Sequence, residues 1–386
     1  MTEMDGNNVR IPKSIVLVLG NGFDLDLGLR TSYKDFWESD YCPKSYPAPL
    51  IKHLNEKWPD SLDKVKWYDL ENELLEYFRS IQVEGEYPDL ITESEYEFLK
   101  RYNPAHTSCR SHYERYQSDI DSLHGKNLLD LDIGWNLYIT IPYLDDLRQT
   151  GVWRDRKAFQ LIKEGLCKYI SEVSKSIPDT EGCAFNVLFA IARAKEQGDY
   201  VNIYTFNYTK LHHPYGSNLT SITHHVHGTC EDGKIIIGTQ DSKEFNKDYD
   251  FLQKSFDPNF SPPALVYDLL NADEIVFFGH SIGINDRQYF KSFFKQQTST
   301  DAPKRKRISI FTRDEKAEVE IKRSLQEMTD HNLSTLYGMN DLEIIKTAEV
   351  KNSPKQFRDF MLRNINNEAQ VRITMQQLLE HLCLNS

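Results

Sequence analysis

The stretch Ser14-Ile-Val-Leu-Val-Leu-Gly20, followed by Asn21-Gly-Phe-Asp24, decides the fold class of this chain. A short, continuous apolar run that ends in glycine is typical of a strand buried on both faces of a parallel sheet. In open α/β sheets, ligands bind beyond the carboxyl ends of the strands, and glycines let the backbone come close to a phosphate there. The free N–H groups of a helix that begins near Phe23 would face such an anion. An ordinary strand-to-helix turn gives the same pattern.

Strand patterns return only after residue 198, and helical periodicity dominates the chain between them. The predicted strands are Val201–Phe206, Ile222–His227, Lys234–Gly238, Glu274–Gly279 and Arg307–Phe311. Helices are predicted over 70–81, 159–173, 184–197, 314–328 and 354–384, with another that begins at Asn285. One early strand, a long helical segment and a later alternation of strands and helices are typical of an α/β fold.

We therefore predict a Rossmann-like, mostly parallel sheet with a large helical insertion after the first strand. Residues 14–40 and 199–350 would form the nucleotide-binding core, residues 41–198 the helical insertion, and residues 351–386 the C-terminal helices.

Composition excludes several classes of protein. The 386 residues include 46 basic and 58 acidic side chains, and the net charge of −12 argues against a broad nucleic-acid surface. No apolar run reaches the roughly 20 residues that a membrane-spanning helix needs. Six cysteines without a Cys-x-x-Cys pair exclude a four-cysteine zinc site, and with the polar start at Met1–Pro12 they favour a cytoplasmic protein.

Two polar motifs follow the second and third predicted strands. Asn207, in Thr205-Phe-Asn-Tyr-Thr209, can hold a ribose hydroxyl or a water, or simply form an Asx turn. In His224-His-Val-His227-Gly228, a histidine at a strand end suits acid–base chemistry near pH 7. His225 and His227 would share one face of the strand, so a metal site remains an alternative. Its further ligands would be Cys230, His212 or His213.

The fourth strand is followed by Gly279-His-Ser281-Ile-Gly283. Ser281 can contact a phosphate or a ribose, whereas Asn285 and Asp286 are candidate helix caps. The Gly-x-Ser-x-Gly spacing also allows a serine hydrolase, which would need His331 or His381 as its base.

The motif Trp67-x-Asp-Leu-Glu71 opens a predicted helix of the insertion. Asp69 is predicted as its N-cap, and Glu71 would be functional if the insertion leans over the sheet.

Taken in order, these motifs resemble the AbiH family of bacterial phage abortive-infection proteins over roughly residues 14 to 300. The resemblance rests on Gly20–Leu25, Gly28–Phe36, Trp67–Glu71, Thr205–Thr209, His227-Gly228 and Gly279–Gly283. It implies a role in defence against phage, with a phage-derived trigger and a homo-oligomer as open expectations.

The same motifs are more distantly similar to sirtuin-like NAD-binding domains, through Gly28-Leu-Arg-Thr31-Ser32, Asn207, His227-Gly228 and Gly279-His-Ser281. This resemblance implies hydrolysis of the bond between nicotinamide and ribose in NAD⁺, with Asn207 and His227 as catalytic residues and no metal. Motifs and resemblance together predict the nucleotide-binding residues Gly20, Asn21, Gly22, Phe23, Asp24, Thr31, Thr205, Gly279, Ser281 and Asp286. The alternatives are a nucleotide sensor without catalysis, and a metal-dependent nuclease or phosphodiesterase that uses His225, His227 and Asp24.

Overall fold

A computed structural model describes residues 11–58, 69–84, 133–176, 178–211, 219, 222–241, 247–299 and 304–384, with the backbone alone for 81–84 and 133–150. In this part of the chain, six strands form one parallel sheet in the order β3-β2-β1-β4-β5-β6. The strands are β1 Ser14–Leu19, β2 Tyr200–Thr205, β3 Thr223–His225, β4 Glu274–Phe278, β5 Arg307–Thr312 and β6 Asp341–Lys346.

The predicted α/β fold with a mostly parallel sheet is confirmed. The strand order is the one found in doubly wound dinucleotide-binding sheets, in which the order reverses beside the first strand. The crevice at that reversal lies at the carboxyl ends of β1 and β4, which are the strands that precede Gly20 and Gly279.

Twelve α-helices surround the sheet in the described residues. They are α1 Asn21–Asp26, α2 Tyr33–Glu38, α3 Pro49–Lys57, α4 Leu70–Glu84, α5 Ile133–Val173, α6 Cys183–Glu196, α7 Leu265–Asn271, α8 Arg287–Gln296, α9 Glu315–Met328, α10 Leu333–Met339, α11 Lys355–Ile365 and α12 Glu368–Leu384. None of the described helices is both long and apolar enough to cross a membrane.

The sheet is buried on both faces, as the apolar run of β1 predicted. Ile15, Leu17 and Leu19 pack with α6, α11 and α12 on one face, whereas Val16 and Val18 pack with α7, α8 and α9 on the other. Successive side chains of a strand alternate between faces, so a strand covered on both sides must be apolar throughout. Helix α6, although inside the predicted insertion range 41–198, packs against β2 and α11.

Helices α2 to α5 form a separate hydrophobic core, which also includes the chain that follows β3. The predicted strand Lys234–Gly238 is wrong: this segment has no strand pairing. Ile235 and Ile237 are buried in the core of the helical insertion, and the Ile236 N–H donates to the His227 carbonyl at 2.8 Å. An apolar run indicates that a segment is buried, but it does not identify the element that covers the segment.

Most of the other elements follow the predictions within a few residues, but α5 begins at Ile133, well before the predicted start at 159, and three of the later elements were not predicted. Helices α6, α9, α11 and α12 are confirmed, and Phe290, Phe293 and Phe294 of α8 are buried as expected. The sequence did not predict β6, α7 or α10. The edge strand β6 contains charged residues and is mostly half-buried, so it lacks the apolar run that marks an inner strand.

Candidate functional site

The turn after β1 is held against the turn after β4 by backbone hydrogen bonds. The Gly20 N–H donates to Phe278 O at 3.0 Å, the Gly22 N–H to Gly279 O at 2.9 Å, and the Phe23 N–H to Gly20 O at 2.8 Å. These three amides are therefore occupied, and the helix α1 begins at Asn21 rather than at Phe23.

Glycine is required here because the two turns touch. A Cβ atom on Gly22 would lie 2.7 Å from the Gly279 Cα, and Gly279 itself has a φ of +61°. These glycines were predicted to bind a phosphate; in the structure they allow two backbone segments to approach each other closely.

A buried polar cluster joins the first motif to the second. The Asn207 side-chain amide donates to Asp24 Oδ1 at 2.9 Å, and the Thr209 hydroxyl donates to Asp24 Oδ2 at 2.7 Å. The Thr205 hydroxyl accepts the Asn207 backbone N–H at 3.2 Å and so shapes the turn, whereas the Asn207 side chain does not form the alternative Asx turn. Burial raises the pKa of Asp24 to about 6, although its hydrogen bonds with Thr209 and Asn207 oppose the shift.

Three other predicted binding residues lie around this cluster. The Thr31 hydroxyl donates to Asn21 Oδ1 at 2.7 Å, and both side chains are half-buried. Phe23 packs in the core instead, with its ring against Phe278 at 5.7 Å between centroids. A side chain in that position supports the turn and does not face a ligand.

A second buried cluster lies beside His227 and contains four charged or titratable side chains. Lys254 Nζ lies 3.0 Å from Glu71 Oε2 and 2.9 Å from Asp286 Oδ1. His227 Nε2 lies 3.3 Å from the same Asp286 oxygen. Lys254 is fully buried, and the two side-chain carboxyl groups that it contacts come from other parts of the chain.

His280 completes the surroundings of Asp286. The His280 Nδ1 accepts the Ile282 N–H at 2.9 Å, which leaves the proton of the neutral ring on Nε2, 3.6 Å from Asp286 Oδ2. Burial lowers the pKa of His280 to about 4, so the ring is neutral at physiological pH.

The protonation states in this cluster follow from burial and charge. Burial lowers the pKa of His227, and the nearby Lys254 ammonium lowers it further. Burial raises the pKa of Glu71 to about 8, against the attraction of Lys254. Burial opposes ionisation of Asp286, but Lys254 and His227 outweigh it, so the pKa of Asp286 is lowered. Buried groups with shifted pKa values at the carboxyl edge of an α/β sheet are typical of functional sites.

Helix α4 of the insertion meets the turn after β4 at this cluster. The predicted N-cap is confirmed, because Asp69 Oδ1 accepts the Asn72 N–H at 3.0 Å. The same oxygen accepts the Asn285 side-chain amide at 3.3 Å. Capping was also predicted for Asn285 or Asp286, and this is wrong for their side chains: Asp286 is at the N-cap position of α8 but makes no side-chain cap. Trp67 lies outside the described residues.

The structure gives less support to the two alternatives, a metal site at His225 and His227 and a serine hydrolase at Ser281. Strand β3 ends at His225, so the prediction that His225 and His227 share a strand face is wrong. Among the described residues, no group of three His, Cys, Asp or Glu side chains could hold a metal ion, and His212 and His213 lie outside them. Ser281 is exposed, while His381 contacts Asp179 at 2.8 Å and Glu181 at 3.1 Å.

Five sequence motifs thus meet at one edge of the sheet, and a family model matches the same part of the chain. The model for bacteriophage abortive infection AbiH matches residues 16–303. The chain belongs to the AbiH family. No curated protein and no solved structure matches it. As an AbiH protein, the chain has a role in phage abortive infection.

This AbiH site contains two residues that the sequence did not single out as functional. His280 belongs to the Gly279–Gly283 motif but had no predicted role of its own, and Lys254 belongs to none of the motifs. Lys254 follows Gln253 and begins a short 3₁₀ segment, Lys254–Phe256, and lysines are mostly exposed. Its role becomes visible only when Glu71 and Asp286 are placed around it.

Proposed function

We propose that this AbiH protein hydrolyses NAD⁺ at the bond between nicotinamide and ribose. The observation that supports the proposal best is that two buried pairs, Asn207 with Asp24 and His227 with Asp286, follow strands at the carboxyl edge of a sheet with dinucleotide-binding strand order. Glycoside cleavage passes through an oxocarbenium-like transition state, which nearby carboxylates stabilise. Nicotinamide leaves as a neutral molecule, so no acid is needed to protonate it.

Asn207 would orient the ribose or the attacking water. Its amide nitrogen is fixed on Asp24, while its Oδ1 is buried and has no hydrogen-bond partner among the described residues. A buried acceptor without a partner is costly, and a ribose hydroxyl or a water would satisfy it.

His227 would accept the proton of the water or of a ribose hydroxyl. A neutral imidazole is required for that step, and the burial that lowers the pKa of His227 provides it. A well-aligned general base contributes about 10²–10⁴-fold to the rate. Asp24 would bind a ribose hydroxyl, and the partly exposed Asn21 and exposed Ser281 would contact the phosphates.

Access to the catalytic pair would depend on a change in the protein. Asn207 is 6% exposed and His227 is 4% exposed. At the start of helix α4, Asp69 contacts Asn285 in the turn after β4, and Glu71 contacts Lys254. We therefore propose that a phage-derived trigger displaces the insertion and admits the dinucleotide.

The test is release of nicotinamide from NAD⁺ by the purified protein, with and without extract of phage-infected cells, measured by mass spectrometry. His227→Ala and Asn207→Ala should abolish release, whereas His224→Ala should retain it, because His224 is exposed and its ring stacks on Tyr204. Circular dichroism would confirm that each variant is folded. Intact NAD⁺ after incubation with every extract would contradict the proposal.

A nucleotide sensor is the second candidate, and the docking of α4 against the site favours it. Binding that moves the insertion would signal without turnover. Calorimetry that shows tight binding of an adenine nucleotide with no product would support the sensor and exclude the hydrolase.

A further inference from the structure

Lys254 has no hydrogen left for a ligand. Its ammonium group has three donors, and three oxygens surround it: Glu71 Oε2 at 3.0 Å, Asp286 Oδ1 at 2.9 Å and the Asn285 carbonyl at 3.4 Å. The side chain is fully buried as well. Lys254 therefore can affect the chemistry only through its neighbours.

The neighbour that matters is Asp286. Its Oδ1 contacts both Lys254 Nζ and His227 Nε2. A carboxylate next to a histidine stabilises the protonated ring, whereas a cation destabilises it. Without Lys254, the negative charge of Asp286 would act on His227 alone.

Glu71 holds Lys254 from the other side and belongs to α4 of the insertion. Asp286 lies in the turn after β4, and Lys254 lies in the segment that follows the insertion core residue Leu252. The ammonium group thus joins two structural units at a fixed position next to His227.

We infer that Lys254 is a positioning residue that keeps the His227 imidazole in its neutral form, while Glu71 and Asp286 fix the ammonium group in place. The inference rests on the proposed function, in which neutral His227 is the base.

Apart from Lys254 and Asp286, the titratable groups that face His227 are neutral at physiological pH. The titratable and charged residues packed around it are Asp286, Lys254, His280, Tyr208 and Tyr289. Burial raises the pKa of Tyr289 to about 12 and raises that of Tyr208 well above its usual value. Lys254 and Asp286 are therefore the two charges that set the protonation of His227.

The experiment is an NMR titration of His227 in the full chain without substrate, with its signal assigned by its loss in His227→Gln. Lys254→Met should raise the pKa of His227 by about one unit or more, because the cation is lost and the carboxylate remains. Asp286→Asn should shift it in the opposite direction. The double variant should bring the value back below that of Lys254→Met.

Lys306→Met is the matched control. Lys306 is also a buried lysine, but it precedes β5 at the amino edge of the sheet, where its ammonium group donates to the carbonyls of Leu270 and Ala272. Its loss should lower stability without moving the His227 pKa. If Lys254→Met does not fold, Lys254→Gln, which also removes the cation but keeps a polar group for the same oxygens, is titrated in its place.

A His227 pKa that stays within about 0.3 units of the wild-type value when the cation of Lys254 is removed would overturn the inference. If nicotinamide release is observed, the acidic limb of its pH profile should move with the NMR value. If no release is observed but the pKa values shift as expected, the proposed reaction fails and the positioning role of Lys254 remains.

Discussion

Asp24 and Asn207 are 183 positions apart in the chain, yet the Asn207 amide donates a 2.9 Å hydrogen bond to the Asp24 carboxylate. Asp24 follows β1 and Asn207 follows β2. These two strands are neighbours in the sheet, and both side chains are buried. The contact joins two AbiH motifs that lie far apart in the chain. Because Asp24 is buried at this contact, its pKa is raised and its ionisation depends on the fold.

Replacing Asp24 by asparagine should remove one component of the pH dependence of stability. The pKa of Asp24 is raised from 3.8 to about 6, so the folded protein binds this proton more tightly than the unfolded chain does. The contribution of Asp24 to stability therefore falls as the pH rises from about 4 to about 6, by up to about 3 kcal/mol, and is constant above that range. The introduced amide can still accept from Asn207 and can donate to Thr209.

Urea unfolding at several pH values measures this effect as a difference between the Asp24→Asn variant and the wild type. The difference cancels the other raised carboxyl groups, among them Asp26 and Asp155. A difference in the free energy of unfolding that is the same at pH 4 and pH 7 would contradict the raised pKa of Asp24.

Replacing Asp155 by Ala should destabilise the helical insertion. This buried carboxylate of α5 accepts hydrogen bonds from the Leu50 N–H at 2.8 Å, from the Tyr249 hydroxyl at 3.0 Å and from the Tyr77 hydroxyl. Three buried donors without an acceptor should cost at least about 3 kcal/mol. Glu172→Ala on the same helix removes only an exposed ion pair with Lys175 and should cost about 1 kcal/mol or less. Urea unfolding followed by circular dichroism compares the two, and equal losses would show that the Asp155 contacts contribute little.

Replacing Gly22 by Ala should destabilise the protein by about 1–3 kcal/mol or more, because the new methyl group would overlap the backbone of Gly279. Gly338→Ala, in α10, is the control: a Cβ atom there meets no atom within 4 Å and should stabilise the helix by about 0.5–1 kcal/mol. Thermal unfolding of both variants measures the contrast. A Gly22→Ala protein as stable as the wild type would show that the two turns can separate at little cost.

Alkylation by iodoacetamide should be at least about tenfold faster at Cys167 than at Cys183. A hydrogen bond with Cys230 lowers the pKa of Cys167, which is half-buried, whereas burial raises the pKa of Cys183 well above its usual value. Cys230→Ala removes the hydrogen bond and should slow the reaction of Cys167. Mass spectrometry of the alkylated peptides gives both rates. Faster labelling of Cys183 would be inconsistent with the described packing.

The sequence by itself determined the parallel sheet and most of its helices. Strands β1 and β4 are covered on both faces, so nearly every residue in them is apolar, and the pattern is visible in the chain alone. The sequence also placed polar motifs at the strand ends, and parallel strands bring those ends to one edge of the sheet. This is why Asp24, Asn207, His227 and Asp286 could all be selected before their positions were known.

Only the tertiary structure decided how these residues are paired. Lys254 is bound to Glu71, 183 positions away, and to Asp286, 32 positions away, and nothing in the local sequence of a lysine specifies such partners. In the same way, the apolar pattern of segment 234–238 predicts a strand, although the segment packs against the helices of the insertion. Local periodicity encodes how deeply a residue is buried. The partner that buries or neutralises it is set by long-range packing, which a single stretch of sequence does not contain.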